Sequence, residues 1–181
     1  MMKLMLKGTI AAICLTASFA APVAAGPLED AIAAYGKGNY ATALLLLRPL
    51  AEQGTARAQI LLGVMYSRGQ GMAQNYGEAM KWYRQAADHG DATAQVAVGA
   101  MLCQWSWRAT GPRQGNGVVS QSCGSGRAMK WYRRAADQGY ANAQSNIAIM
   151  YNTGHGVPQD YAEGLKWSRL AAEQGFAAAQ Y

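Results

Sequence analysis

Three sets of residues recur along this chain at one common series of separations. Gln59, Gln95, Gln144 and Gln180 each close an Ala-x-Ala-Gln tetrapeptide, and they stand 36, 49 and 36 residues apart. Gly54, Gly90, Gly139 and Gly175 follow the same series, and so do Leu46, Trp82, Trp131 and Trp167. The chain is therefore an array with a period of 36 residues whose middle unit carries 13 more. A period of this length is that of one supersecondary unit, which cannot bury its apolar face alone and must stack on its neighbours.

Each unit reads as two helices. Ala58, Leu61, Leu62, Met65 and Tyr66 fall at i, i+3, i+4, i+7 and i+8, one face of a helix. A loop from Ser67 to Gln74 holds Gly69 and Gly71, and a second stripe follows in Tyr76, Ala79, Met80, Tyr83, Ala86 and Ala87. Asn75 with Glu78, and Asp160 with Glu163, have the spacing of an N-cap and its third residue. Gly90 and its equivalents stop the second helix. Short connections make consecutive helices antiparallel neighbours, so the expected fold is all-α, an α/α solenoid. Gly63, Gly99 and Ala148 share a column in which a minimal side chain admits a neighbouring helix. Met65, Met101 and Met150, Tyr66 and Tyr151, Tyr83 and Tyr132, and Trp82, Trp131 and Trp167 occupy repeat positions and are expected core.

The segment 26–55 is a degenerate hairpin, with Tyr40 matching Tyr76 and Arg48 matching Arg84. Units then span 56–91, 92–140 with the insertion, and 141–176, and residues 177–181 begin a further one. Unit two departs from the pattern. Leu102 and Ser125 replace tyrosines, Gly124 and Arg127 replace the capping pair, and the extra residues are expected between the helices, around Gln104 to Cys123.

Residues 1–25 read as a secretory signal. Lys3 and Lys7 form a basic start, Gly8 to Ala20 an apolar stretch, and small residues precede an expected cleavage after Ala25. An uncleaved anchor and lipidation at Cys14 compete with this reading, although Ile13 precedes that cysteine and the apolar run continues past it. Cleavage would leave no integral membrane span and place the protein in the periplasm or outside the cell, an oxidising setting. The net charge of +6 falls to +4 once Lys3 and Lys7 are removed, too mild to indicate nucleic acid, and no nucleic-acid motif accompanies it.

The strings Leu62-Gly63-x-Met65-Tyr66, Gly69-x-Gly71, Ala79-Met80-Lys81-Trp82-Tyr83, Ala86-Ala87 and Gly90 resemble the Sel1-like repeat. Tyr151, Gly154-x-Gly156-Val157-Pro158-Gln159-Asp160-Tyr161, Trp167, Ala171-Ala172 and Gly175 carry the resemblance again, and it covers about residues 28–181. It implies a solenoid related to tetratricopeptide repeats and used for protein–protein contact. Bacterial members are often exported and serve as adaptors in envelope signalling or assembly, or in host interaction. The family has no shared catalytic residues. Some exported relatives have been linked to β-lactam chemistry, but no Ser in this chain has Lys three residues on, and Lys-Thr-Gly is absent. His89 and His155 stand at a helix stop and between loop glycines, without a partner at zinc spacing. No enzyme, cofactor or metal site is expected.

The insertion holds the chemistry left over. It contains Trp105, Trp107, Arg108 and Arg113, and Arg127, Lys130 and Arg134 follow at i, i+3 and i+7, with no acid between Asp91 and Asp137. Trp and Arg are enriched at binding hot spots, so a flap that docks an acidic protein or an anionic envelope polymer is one reading. Tryptophans folded back on the hairpin are the other. Arg57, Ile60, Val64, Asn142, Ser145 and Ile149 are candidate lining for the groove of first helices, in an orientation the spacing leaves open. Cys103 and Cys123, the cysteines remaining after cleavage, flank the insertion and are expected to pair. Residues 177–181 cannot cover Trp167, Leu170 and Ala171, so self-association through that end is a further expectation. The partner is a protein whose identity the sequence leaves open.

Overall fold

The computed structural model describes residues 26–110 and 118–175, and the side chains of these except 105–110 and 118–125. The residues called signal peptide, Arg113 and the start of a further repeat lie outside the described residues. The described chain is helical throughout: α1 Pro27–Gly36, α2 Tyr40–Glu52, α3 Ala56–Arg68, α4 Tyr76–Asp88, α5 Ala92–Thr110, α6 Val118–Asp137, α7 Ala141–Thr153 and α8 Tyr161–Glu173. Each helix packs on the one before and the one after it, giving an open run of hairpins rather than a closed bundle.

The local chemistry anticipated from the sequence sets the ends. Asn75 Oδ1 accepts from Glu78 N at 3.1 Å, and Asp160 Oδ1 accepts from Ala162 N and Glu163 N at 2.9 and 3.0 Å. Each carboxyl or amide oxygen satisfies N–H groups that have no partner within the helix. Gly69 and Gly154 end α3 and α7 at φ 67° and 72°, a left-handed conformation that costs a residue with a Cβ energy.

The insertion is not a loop between the helices. In units one and three every helix has 13 residues, whereas α5 has 19 and α6 has 20. Both begin and end in register at the base of the hairpin. All 13 extra residues therefore lengthen the far end, six on α5 and seven on α6, by about 9–10 Å at 1.5 Å per residue. Seven residues separate the paired helices in all three units. This explains why unit two lacks its cap: at Gly124 the helix is already running, so no N–H there awaits a side-chain acceptor.

Packing at the base turns on one column. A Cβ on Gly63 would stand 2.5 Å from Tyr83 Cε1, and one on Gly99 2.6 Å from Tyr132 Cε1. The glycines thus admit a tyrosine ring from the second helix of the same unit. In unit three the tyrosine is Ser168, and Ala148 takes the glycine's place. There the close approach moves to buried Gly164, where a Cβ would overlap Asn152 Oδ1. Leu47, Leu62 and Met65 anchor an N-terminal cluster with Trp82, and Val98, Tyr132 and Ile147 anchor the cluster that follows it. Met101, Met150 and Tyr83 are also buried, but Tyr66, Tyr151, Trp131 and Trp167 are only half-buried. The tryptophan column is therefore core at Trp82 and partly solvated at Trp131 and Trp167.

Candidate functional site

One face of α6 carries a row of basic side chains. Arg127, Lys130 and Arg134 are exposed along it. The guanidinium of Arg134 lies over the half-buried Trp131 ring at 4.8 Å from its centroid, a cation–π contact that holds the cation above the surface. Arg133 Nη2 donates to Tyr151 Oη at 2.8 Å, as Arg48 Nη2 does to Tyr66 at 3.3 Å, so this arginine ties one unit to the next. Among the described residues the ion pairs are Lys81–Glu78 and Lys166–Glu163, on α4 and α8. Trp105, Trp107 and Arg108 belong to the lengthened part of α5; their side chains lie outside the described residues. The grouping of flap and stripe thus becomes a single hairpin whose far end is longer than in its neighbours.

At the root of that extension, Cys103 takes the place that Ser67 holds in unit one. Ser67 neighbours the Tyr83 hydroxyl, while its own Oγ donates to Val64 O at 2.9 Å, and Cys103 neighbours the Tyr132 hydroxyl. Burial pushes the Cys103 thiol up, with the Tyr132 hydrogen bond working against it. Burial likewise raises both tyrosines. Cys103 is a free thiol in this structure, and the Cys123 side chain lies outside the described residues.

A second feature was invisible as a site in the sequence, though its residues defined the period. Gln59, Gln95 and Gln144 are buried between units. Gln59 Nε2 donates to Ala51 O at 2.9 Å and Gln95 Nε2 to Ala87 O at 3.3 Å, closing the last turn of the preceding helix. The amide oxygens then face the helix that follows. Gln138 Nε2 donates to Gln95 Oε1, and Gln174 Nε2 to Gln144 Oε1, each at 3.0 Å. His89 fills the equivalent place in unit one, where a cavity of about 450 Å³ opens among Ala51, Gln59, Trp82, Gln85 and His89. His155 is exposed in the α7–α8 loop, and no group of His, Cys, Asp or Glu among the described residues could hold a metal ion. On the first helices, Arg57, Asn142 and Ile149 are exposed, whereas Ile60, Val64 and Ser145 are half-buried. That mixed surface defines no ligand.

The family model for the Sel1 repeat matches residues 56–91, 113–140 and 141–176. The chain belongs to the Sel1 repeat family. The second match begins after the lengthened α5. A crystal structure of a Sel1 repeat protein from Oxalobacter formigenes is similar at 32% identity and a TM-score of 0.68, over 84% of this chain and 57% of that one. The structure of c5321, a protective antigen present in uropathogenic Escherichia coli strains and displaying an SLR fold, is similar at 34% identity and a TM-score of 0.69, over 84% of this chain and 31% of that one. The chain thus spans less than two thirds of either relative. No curated protein matches it. Sel1 repeat proteins generally mediate protein–protein interactions and are typically non-catalytic scaffolds. No helix among the described residues is long and apolar enough to cross a membrane.

Proposed function

We propose that this Sel1 repeat protein is an exported adaptor of the bacterial envelope, not an enzyme, that docks a protein partner on the unit-two hairpin. The observation that carries the reading is the exposed row of Arg127, Lys130 and Arg134 on α6, in a stretch without an acid from Ala92 to Ala136. Such a row attracts an acidic partner and sets its register more than its affinity. The lengthened helices raise the neighbouring Trp105, Trp107 and Arg108 at the end of the same hairpin. Export rests on the basic start, apolar stretch and small residues of segment 1–25.

Crosslinking in the native envelope, read by mass spectrometry, tests the docking face. A partner captured by the wild type and lost from the Arg127→Glu/Lys130→Glu/Arg134→Glu variant supports it; equal capture by both removes it. Fractionation tests the location, and recovery in the cytoplasm with residues 1–25 still attached refutes export. The description of the E. coli relative as a protective antigen favours a second reading, a secreted factor that meets host proteins. Recovery from the medium rather than the periplasm would select it.

The Cys103–Cys123 bridge belongs to the same proposal. Gln74 and Gln159 hold the position of Cys123 in units one and three, and their Nε2 atoms donate to Ser67 O and Asn152 O at 2.7 Å. Ser67 and Asn152 hold the position of Cys103, and this contact in the neighbouring units supports the pairing. Closing about 20 residues would add roughly 3 kcal/mol in the chain-entropy model. Two free thiols on labelling of the denatured, unreduced protein would refute the bridge.

A further inference from the structure

Unit one lacks a hydrogen bond that units two and three make, and the lack coincides with the cavity. Gln138 donates through Nε2 both to Arg134 O, at 3.2 Å, and to the buried Gln95 Oε1, at 3.0 Å. His89 keeps the first of these bonds and not the second. Its Nδ1 lies 2.7 Å from Gln85 O, an atom that can only accept, so Nδ1 carries the proton and donates there. Gln59 is oriented in the same way, because its Nε2 must face the Ala51 carbonyl. Its Oε1 is buried without a partner, and so is Trp82 Nε1. The two side chains are 3% and 8% exposed, and both line the cavity. A buried acceptor and a buried donor left unpaired each cost free energy, which a ligand supplying the complementary pair would recover.

We infer that this cavity is a socket for a primary carboxamide, the side chain of a Gln or Asn on a partner polypeptide. Its NH₂ donates to Gln59 Oε1 and its carbonyl accepts from Trp82 Nε1. The repeat itself supplies the precedent, since in units two and three the group on the buried glutamine oxygen is a carboxamide, that of Gln138 or Gln174. A carboxylate has no proton for Gln59 Oε1, and an ammonium group has no acceptor for Trp82 Nε1. Lys81 and Glu52, one cation and one anion, also line the cavity and favour a neutral occupant over either.

The socket deepens the protein-binding reading and rests on it, but it lies on α2–α4, away from the α6 row. The charge-reversed α6 variant should leave the titration below unchanged, so the two can fail separately. In that titration, N-acetylglutamine methylamide is added to the ¹⁵N-labelled protein while the Trp82 indole N–H resonance, assigned through Trp82→Phe, is followed. A saturable displacement is expected with a dissociation constant on the order of a millimolar, the range for a ligand of so few atoms. The corresponding glutamate derivative should bind at least about tenfold more weakly, the worth of one satisfied hydrogen bond. His89→Gln should abolish the displacement, because the new side chain fills the socket from within as Gln138 does. No saturable displacement, equal binding of the glutamate derivative, or an undiminished response in His89→Gln would each overturn the assignment. Tighter binding of free glutamine than of the blocked amide would overturn the polypeptide as its source.

Discussion

At their bases the first two units are the same hairpin. Gly63 lies under Tyr83 as Gly99 lies under Tyr132, and Ser67 meets the first hydroxyl as Cys103 meets the second. They differ at two places. The far end of unit two is longer by six and seven residues, and the socket closed by Gln138 in unit two stands open beside His89 in unit one. The first falls where a neighbouring unit makes no demand, and the second at the open mouth of a cavity between the N-terminal hairpin and unit one. A side chain between units must fit on two sides, whereas the end of a hairpin or the mouth of a cavity answers to one side or none. Variation that could serve a partner is confined to such places, which is why unit two and the His89 cavity draw the functional proposals.

The base that units one and two share predicts the largest effect. Tyr132 is 4% exposed, and its truncation to Ala should cost about 3–5 kcal/mol by chemical denaturation, the range for a lost core aromatic. Ser168, at the same place in unit three, should change stability by no more than about 0.5 kcal/mol when replaced by Ala. Trp131→Ala should fall between the two, because that ring is only partly buried and Arg134 lies over it. A cost at Trp131 equal to that at Tyr132 would mean that the repeat column, rather than burial, decides.

The glycine beneath the ring comes next. Gly63→Ala should cost about 1–3 kcal/mol, since its Cβ would overlap a ring that cannot move far in a packed interior. Placed on Tyr83→Ser, the same change should cost at least about 1 kcal/mol less, reproducing the Ala148–Ser168 pairing of unit three. Additive losses in that double-mutant cycle would separate the glycine from the tyrosine and break the likeness between the units.

These columns also mark how far the residues alone could be read. Helix pairing, the caps at Asn75 and Asp160, and the glycine column were legible because each rests on neighbours within one turn or within the same unit. The tryptophan column was not, because its burial depends on what lies beyond the unit. Trp82 is covered by the N-terminal hairpin, whereas Trp131 and Trp167 meet less of their neighbours. The long hairpin was missed for a similar reason. Gly124 and Gly126 argue against helix by propensity, yet α6 runs through both while packed along α5. The glutamine column was read as a signature of period, and nothing in its spacing reveals that one amide oxygen of the set is left without a donor.

The caps offer a change of sign. Asn75→Ala should cost about 1 kcal/mol, the usual worth of an N-cap. Gly124 holds the same column in unit two but lies inside α6, so Gly124→Ala should stabilise by about 0.5–1 kcal/mol, the helix-propensity difference. Thermal melts of the two variants should move in opposite directions. A loss at Gly124 would place a helix start there and contradict the long hairpin.

The smallest effect belongs to the largest change. Removing residues 105–110 together with 118–124 takes out the 13 that distinguish unit two and joins Gln104 to Gly111 and Gly117 to Ser125. Two helices of 13 residues separated by seven remain, the plan of units one and three. The base is untouched, since Gly99, Met101, Cys103 and Tyr132 all stay. The new start of the second helix follows Gly117, and Gly at an N-cap is only a few tenths of a kcal/mol poorer than Asn. The deletion also removes Cys123 and with it the proposed bridge, so the comparison is made with thiols reduced; there stability should move by no more than about 1 kcal/mol, while circular dichroism loses the signal of about thirteen helical residues, because distant surface segments add little to a packed core. Retained folding with loss of the crosslinked partner would separate the scaffold from the docking end. A chain that unfolds without its extension would show instead that the long hairpin supports unit two, and the resemblance of the two bases would no longer describe what holds them.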